Sequence, residues 1–230
     1  MSVANGSRNT TKPDTEPLLC PLTVTAHMSS EQTNTESGHG SADADRLAGD
    51  EPAHENARQD VIAVDAEDEA TGTVNRLEAH TGDGVRHRAF TCMVFDGAGR
   101  ILLAQRAPEK RLWDTHWDGT VASHPVEGQS QKEATRQRLE EELGVRPDQY
   151  SDLQVTDKFE YKRYYPNEGV EWEVCAVLKV TLEDTTLSPD DAEIGGRLWV
   201  DYEHLHENPK LYRQLRLCPW FEIAMRRDVA

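Results

Sequence analysis

Residues 130–144 read SQKEATRQRLEEELG, and this stretch decides the fold class because it predicts a helix with both ends marked. Ser130 and Glu133 have the spacing of a capping box, in which each side chain accepts a hydrogen bond from the other residue's backbone N–H. Gly144 stands where a helix commonly ends on a left-handed residue. A narrow apolar stripe is formed by Ala134, Leu139 and Leu143. We therefore expect one helix that packs its apolar side against a neighbouring layer.

The segments on both sides of this helix predict strands. Upstream, residues 61–65 form a short apolar run, and residues 89–95 form a stronger one with β-branched and aromatic side chains. Asp96 to Gly99 predicts a hairpin turn that leads into a returning strand over residues 100–105. Downstream strands are predicted at residues 153–161, 170–180 and 196–200.

The other segments are a predicted loop and two predicted helices. Residues 107–128 contain tryptophan, glycine and proline, and we expect a long loop there. Helices are expected over residues 201–206 and 210–227. Strands interleaved with helices indicate an α/β or α+β fold.

The N-terminal region differs in composition from the rest of the chain. Residues 1–55 are rich in small polar and acidic side chains and poor in large apolar ones. Such a segment cannot bury enough surface to offset the entropy of ordering. We therefore expect a disordered acidic tail over residues 1–55 and one folded domain over residues 56–230.

The overall charge limits the classes of partner. The formal net charge is −17 at pH 7, which should repel nucleic acid and anionic lipid. A high-salt cytoplasm would screen the self-repulsion of such a surface. No apolar run approaches the length of a membrane span, and no signal-peptide pattern begins the chain. We expect a cytoplasmic monomer with reduced cysteines, no membrane span and no nucleic-acid partner.

One group of residues has the side chains of a metal site. Glu171 and Glu173 are two apart in a predicted strand, so both point to the same face. Like charges this close repel, and a bound cation is one way to stabilise both. Taken singly, the same glutamates also fit a solvated strand face. Three imidazoles with carboxylate oxygens suit zinc or manganese. The candidate ligands are His80, His87, His124, Glu171 and Glu173.

A second group of residues is cationic. Arginine matches phosphate oxygens with a two-pronged donor geometry, and lysine acts as a point charge. In so acidic a chain, basic residues near candidate metal ligands indicate an anionic substrate. Arg138 lies four residues before Glu142 on the predicted helix, so a surface ion pair of little energetic weight is the alternative. The candidate anion-binding residues are Arg76, Arg106, Lys110 and Arg138.

Three aromatic residues complete the candidates, namely Trp117, Tyr161 and Trp220. Aromatic faces stabilise nearby positive charge by cation–π attraction. Ordinary core packing is the alternative for each of these rings.

Short motifs carrying these residues follow one another from about Asp60 to Trp220. They are TGT at 71–73, RLEAHT at 76–81, HRAF at 87–90, QRA at 105–107, SHP at 123–125, RLEEELG at 138–144, VEWEVC at 170–175 and PW at 219–220. In that order and spacing they resemble the type I isopentenyl-diphosphate isomerases, a Nudix family. A hydrolytic Nudix box would carry Arg-Glu where this chain has Gln137 and Arg138, and an arginine at this position is typical of the isomerases.

The resemblance implies a Nudix-type mixed sheet sandwiched between helices, and an enzyme that interconverts isopentenyl and dimethylallyl diphosphate. The five histidine and glutamate ligands would bind one Mn²⁺, Zn²⁺ or Mg²⁺, and Glu142 would help to hold Mg²⁺ on the substrate diphosphate. The four cations would bind the diphosphate, and Trp117 would contact the substrate. Glu173 and Tyr161 would exchange a proton with the alkene, and Trp220 would lie against the carbocation.

Position 122 departs from the family pattern. The family usually carries a catalytic cysteine there, whereas this chain has Ala122 in the run TVASHP. Alanine cannot exchange a proton, and the hydroxyl of the adjacent Ser123 has a much less suitable pKa. Two alternatives therefore stay open: a Nudix diphosphate hydrolase, which Glu141 and Glu142 favour, and a non-catalytic protein that binds isoprenoid diphosphates.

Overall fold

The computed structural model describes residues 59–151 and 153–227. The predicted disordered tail over residues 1–55 lies outside these described residues. Two short 3₁₀ helices cover Pro147–Gln149 and Pro209–Tyr212. The other elements are β1 (Asp60–Val64), β2 (Ala70–Asn75), α1 (Arg76–Ala79), β3 (His87–Phe95), β4 (Arg100–Arg106), β5 (Trp117–Asp118), β6 (Thr120–Ser123), α2 (Gln131–Leu143), β7 (Gln154–Tyr165), β8 (Gly169–Thr181), β9 (Ile194–Asp201), α3 (Tyr202–Glu207) and α4 (Pro219–Arg227).

The strands form a mixed sheet around β3. β3 runs parallel to β8 and antiparallel to β6, and β8 is also paired with β7. β1 and β2 form a hairpin that joins the start of β3. The predicted turn after β3 is present, but the returning strand β4 pairs with β3 only through Phe95 and Ile101 in the described ladder. β4 then pairs with β5 and β9, so the predicted hairpin opens immediately.

The predicted helix over residues 130–144 is confirmed as α2. The Ser130 side chain accepts a hydrogen bond from the Glu133 N–H, and the Glu133 carboxylate accepts one from the Ser130 N–H. Gly144 ends the helix with φ of 66°, a left-handed value that costs glycine little. Each cap of this kind contributes about 1 kcal/mol to helix stability.

Helices cover both faces of the β3–β8 pair, as expected for a sheet between helices. Leu139 and Leu143 of α2 pack with Phe90 of β3 and Leu178 of β8. On the other face, α4 packs Phe221 and its neighbours against residues such as Met93 and Val177. A fully buried leucine or phenylalanine contributes about 2 kcal/mol of hydrophobic stabilisation, so these two layers hold the sheet in place.

Two parts of the sequence prediction were wrong. Residues 107–128 are not one long loop, because they contain β5 and β6, which are too short to show a period in the sequence. The predicted helix over residues 210–227 begins only at Pro219, because the chain first passes through a 3₁₀ turn and an irregular segment. Proline is tolerated in the first helical turn, where its missing N–H is not needed. None of the helices in the described residues is long and apolar enough to cross a membrane.

Candidate active site

Five side chains converge at one end of β3 and are called here the histidine–glutamate cluster. Their candidate ligand atoms all lie within 4.8 Å of one another. The three histidine ring centroids are between 4.6 and 5.1 Å apart. Glu171 and Glu173 are each only 5% exposed, which excludes the solvated strand face considered from the sequence. The cluster consists of His80, His87, His124, Glu171 and Glu173.

Strand register places the centre of this cluster. Glu173 on β8 lies opposite His87 on β3 in the parallel ladder and opposite Tyr161 on β7 in the antiparallel ladder. Residues directly opposite each other point to the same face of a sheet. The Tyr161 hydroxyl donates a hydrogen bond of 2.7 Å to Glu173 Oε2. His124 follows β6, and its Nε2 lies 2.9 Å from Glu173 Oε1.

His80 reaches the cluster from the end of α1. Its carbonyl accepts a hydrogen bond from the Val170 N–H, which fixes the end of α1 against the start of β8. Gly169 permits this approach, because a Cβ there would lie 2.5 Å from the His80 carbonyl oxygen. The His80 Nε2 atom consequently lies 3.0 Å from Glu171 Oε2.

The ring nitrogens of the cluster fit a metal ion. His80 Nδ1 lies 2.6 Å from the Arg76 carbonyl, and His87 Nδ1 lies 2.7 Å from the Val85 carbonyl. A carbonyl only accepts, so each Nδ1 carries a proton, and a ring protonated at Nδ1 binds metal through Nε2. Within the described residues, the buried His87 Nε2 and Glu171 Oε2 have no hydrogen-bond partner. Lone pairs that face one another in this way are stabilised when a cation lies between them.

Burial also shifts the titration of the cluster. Burial lowers the pKa of His80 to about 4, and it lowers the pKa of His124 well below the usual value. Burial and the neighbouring Glu173 charge raise the pKa of Glu171 well above its usual value. Burial would raise the pKa of Glu173 too, but its side-chain interactions, led by the hydrogen bond with His124, together outweigh burial and hold that pKa well below its usual value. The imidazoles of His80 and His124 are therefore neutral at pH 7, which is the form that binds metal.

The four predicted cations line one cavity with an empty volume of about 400 Å³, called here the cationic cavity. Arg138 Nη2 lies 2.7 Å from Glu142 Oε1, and both residues are buried. The surface ion pair considered from the sequence is therefore excluded. The cavity wall includes Arg76, Arg106, Lys110, Arg138, Asp118, Thr120, Ala122, Glu142 and Glu193.

Two acidic residues of this wall, Glu193 and Asp118, were not predicted from the sequence. Glu193 contacts Lys110 Nζ, and its Oε1 lies 3.2 Å from Arg138 Nη2. Burial would raise the pKa of Glu193, but Lys110 and Arg138 outweigh it and lower that pKa to about 2. Burial raises the pKa of Glu142 to about 7 despite Arg138. In the sequence, Glu193 belongs to an ordinary acidic surface segment, so only its contacts identify it.

A second cavity of about 320 Å³ of empty volume adjoins the cluster and is called here the inner cavity. Its lining includes Glu171, Glu173 and Trp220, and it shares Arg76, Arg106 and Ala122 with the cationic cavity. Three of the five candidate metal ligands, the candidate anion-binding residues and position 122 thus line these two adjacent spaces.

Trp220 is held over the inner cavity by Asp118, the second missed acidic residue. The Trp220 indole Nε1 donates a 2.8 Å hydrogen bond to Asp118 Oδ2. The Arg106 guanidinium carbon lies 5.4 Å from the Trp220 ring centroid. Both Asp118 and Trp220 are buried, so this ring has a fixed position. The sequence gives no sign of Asp118 beyond its place next to Trp117.

The structure does not bring Trp117 to either cavity. Among the described residues, Trp117 is absent from the lining of both spaces and packs against the hydrophobic core instead. Its strand β5 pairs with β4 through Gln105. A direct contact between Trp117 and substrate stays a prediction without geometric support.

Comparison with known proteins defines the class. The family model described as NUDIX domain matches residues 85–221, which is more than half of the chain. The solved structure of DR0079 from Deinococcus radiodurans superposes with a TM-score of 0.59 and 22% identity. This likeness covers 74% of this chain and 100% of that chain. The fold and the family match define a Nudix-domain protein.

Curated relatives narrow the class to one family. A Halobacterium salinarum protein named isopentenyl-diphosphate Delta-isomerase is 70% identical, covering 84% of this chain and 89% of that protein. A Haloarcula marismortui protein of the same name is 74% identical, covering 76% of this chain and 94% of that protein. A Photorhabdus laumondii protein named isopentenyl-diphosphate Delta-isomerase 1 is 30% identical, covering 71% and 91% respectively. The chain belongs to the isopentenyl-diphosphate Delta-isomerase family.

Proposed function

We propose that this chain interconverts isopentenyl diphosphate and dimethylallyl diphosphate by adding one proton to the alkene and removing another. The observation that carries the proposal is the common wall of Arg76, Arg106 and Ala122. It joins a cationic cavity to a cavity that contains buried carboxylates and an aromatic ring. The name shared by the relatives supports the same reaction.

The substrate would divide between the two cavities according to charge. The diphosphate would enter the cationic cavity, where arginine forks match phosphate oxygens. The five-carbon chain would then extend past Ala122 toward Trp220 and Glu173. Buried basic groups hold an anion strongly, because little water remains to screen them.

Divalent metal would complete both parts of the site. The five residues of the histidine–glutamate cluster would hold one Mn²⁺, Zn²⁺ or Mg²⁺, and Glu142 would help to hold Mg²⁺ on the diphosphate. Such ions offset buried negative charge on carboxylates and phosphates. The buried His87 Nε2 and Glu171 Oε2, which have no hydrogen-bond partner, support the first assignment.

The Tyr161–Glu173 pair would exchange a proton on one side of the alkene. Their hydrogen bond of 2.7 Å is buried, and burial raises the pKa of Tyr161 well above its usual value. The phenol is therefore protonated at neutral pH, and it acts in proton exchange together with Glu173, to which it donates its hydrogen bond. Glu173 is the group that both lines the inner cavity and accepts that hydrogen bond.

Trp220 would stabilise the cation that protonation creates. Adding a proton to the terminal carbon of isopentenyl diphosphate leaves a tertiary carbocation, which is costly in water. An aromatic face lowers that cost by cation–π attraction, with an effect of about 2 kcal/mol in a desolvated setting. The hydrogen bond to Asp118 keeps the indole ring in place for this contact.

We also propose residues 56–230 as the isomerase domain, acting as a cytoplasmic monomer. The family match within residues 85–221 supports the position of the domain. The net charge of −17 supports a dispersed, self-repelling protein.

Deuterium incorporation from heavy water into isopentenyl diphosphate tests the proposed reaction. We expect exchange and isomerisation in the wild type with divalent metal, and loss of both by about 10²- to 10⁴-fold in Glu173→Gln. Ala122→Cys should raise the rate, because it adds a proton-exchanging group at the common wall.

Two results would contradict the proposal. Release of phosphate from isopentenyl diphosphate would identify a hydrolase instead. Tight binding of isopentenyl diphosphate by wild type with neither exchange nor turnover would identify a non-catalytic binding protein. Glu160→Gln, a carboxylate on the exposed side of β7, is the matched control and should retain the wild-type rate.

A further inference from the structure

The proposed reaction needs a second proton-exchanging group besides Glu173. One proton must be added to the terminal carbon of isopentenyl diphosphate, and a different one must leave the carbon two bonds from the diphosphate oxygen. Ala122 carries no such group, although it lies in the wall shared by both cavities. This inference rests on the proposed function and asks which residue supplies the missing chemistry.

The acidic residues that line the two cavities differ in their partners. Glu171 and Glu173 belong to the histidine–glutamate cluster. Glu142 and Glu193 form ion pairs with Arg138. Asp118 instead accepts hydrogen bonds from two neutral donors, the Trp220 indole and the Gly119 N–H.

The hydroxyls in the same walls are poorer candidates. Thr120 Oγ1 donates to the Leu102 carbonyl, so its proton is already committed. The hydroxyl of Ser123 has a pKa far above neutrality in its ordinary state, which makes it a weak acid at pH 7. Among the described lining residues, Asp118 is therefore the acidic residue that neither belongs to the cluster nor forms an ion pair with Arg138.

The backbone turns Asp118 toward the space beside Ala122. β5 pairs with β4, whereas β6 pairs with β3, and the chain changes partner at Gly119 and Thr120. Thr120 has φ of 138°, an unusual value for a residue with a side chain. Asp118, Thr120 and Ala122 consequently all line the cationic cavity.

We propose that the Asp118 carboxyl is the second proton-exchanging group of the reaction. Its position in the cationic cavity assigns it to the carbon nearer the diphosphate, while Glu173 serves the terminal carbon. Toward dimethylallyl diphosphate, the Tyr161–Glu173 pair gives up a proton to the terminal carbon, the π electrons form the new C–H bond, and the pair keeps the electrons of the broken O–H bond. The Asp118 carboxylate then takes a proton from the other carbon, and the electrons of that C–H bond form the new double bond.

The surroundings of Asp118 suit a group that must both take and return a proton. Asp118 is 3% exposed, and its carboxylate is held at Oδ1 by the Gly119 N–H and at Oδ2 by the Trp220 indole. Burial raises the pKa of this carboxyl, although the Arg106 charge acts in the opposite direction. A pKa nearer to neutrality favours proton exchange in both directions.

Asp118→Asn tests the proposal, with isomerisation and position-resolved deuterium exchange measured by NMR in heavy water. Isomerisation should fall by about 100-fold or more, as expected for loss of a general acid or base. Exchange at the terminal methylene should persist, because Glu173 is unchanged, whereas exchange at the carbon nearer the diphosphate should stop. Thermal unfolding of the same sample verifies that the variant is folded, and Asp148→Asn, an exposed carboxylate, is the control.

The double variant Asp118→Asn with Ala122→Cys separates proton exchange from the holding of Trp220. Cysteine at position 122 should restore isomerisation to Asp118→Asn, because it returns a proton-exchanging group to the same wall. Trp220→Phe removes the indole N–H but keeps an aromatic ring, and it should slow exchange at both carbons together, because both exchanges pass through the same cation, whereas Asp118→Asn should stop exchange at one carbon only. These results together support the assignment.

Three other outcomes would contradict the proposed role of Asp118 or the proposed function. Wild-type isomerisation by Asp118→Asn would show that this carboxyl exchanges no proton. If Asp118→Asn slowed exchange at both carbons as Trp220→Phe does, and Ala122→Cys did not restore isomerisation, Asp118 would act only by positioning the indole. A wild type that neither exchanges nor isomerises would contradict the proposed function itself, which makes that failure distinguishable from failure at Asp118.

Discussion

The histidine–glutamate cluster and the cationic cavity are adjacent, yet their buried charges are balanced in different ways. In the cluster, ring nitrogens and carboxylate oxygens converge within 4.8 Å of one another. In the cationic cavity, Arg138 and Lys110 already contact Glu142 and Glu193. The cluster could therefore hold an added cation, whereas Arg138 and Lys110 of the cavity are already paired with carboxylates of the protein.

Replacement of a cluster ligand should give the largest effect. His124→Ala removes one imidazole, and we expect metal affinity to fall by more than about 100-fold, since loss of an outer-shell partner alone costs about 10- to 100-fold. Competition with a metal-binding dye measures this loss, using zinc and manganese in turn.

The exposed His206 offers the matched control for that experiment. His206→Ala should keep wild-type affinity. If His124→Ala also kept it, the five residues would not form a metal site, and the contrast between the two regions would disappear.

Glu193→Gln should give an intermediate effect, seen in stability rather than metal binding. The pKa of Glu193 in the folded protein is about 2, below its ordinary value of 4.5. A lowered carboxyl pKa stabilises the fold above the unfolded-state pKa, and this contribution is lost as the pH falls toward 2. At pH 7 this lowering of the pKa corresponds to about 3 kcal/mol in the free energy of unfolding.

Urea unfolding at pH 7 and at pH 3 measures that difference between wild type and Glu193→Gln. We expect the variant to have a clearly lower free energy of unfolding than wild type at pH 7, and a smaller difference at pH 3. The exposed control Glu183→Gln should show no difference at either pH. The same difference in free energy of unfolding at both pH values would show that Glu193 acts through packing rather than charge.

Arg138→Lys should give the smallest effect of the three. The positive charge is kept, but the two-pronged geometry toward Glu142, and toward the diphosphate proposed to bind there, would be lost. We expect KM for isopentenyl diphosphate to rise by about tenfold, equivalent to one charge-assisted hydrogen bond, with little change in kcat.

Arg136 lies on the exposed side of the same helix and provides the control Arg136→Lys. Equal KM values for Arg138→Lys and wild type would indicate that the diphosphate does not reach this arginine. In that case the cationic cavity would be only a network of structural ion pairs.

The fold was largely predictable because its signals are local. The caps at Ser130 and Gly144 fix the ends of α2 through chemistry within a few residues. The terminal helix was predicted too long, and β5 and β6 were missed, because short elements depend on partners that lie far away in the chain. Pairing between β3 and β8 across more than 80 residues cannot be read from either segment alone.

The candidate site divides in the same way. Motif order indicated the residues of the cluster, because histidine and paired glutamate are unusual enough to be noticed. Asp118 and Glu193 were missed, since an acidic residue in so acidic a chain carries no signal until its burial and partners are known. Trp117 was selected with Trp220, although only Trp220 lines a cavity among the described residues.

The position of Glu173 between two ladders limits how this protein can change in length during evolution. Deleting one residue within β8 would turn the following side chains to the opposite face of the sheet. Val174 would then occupy the place of a carboxylate that faces both His87 and Tyr161. The turn at residues 166–168 fixes the register that pairs Tyr161 with Glu173, and residues 169–181 fix which face each side chain takes, so both segments must keep their length for the site to form.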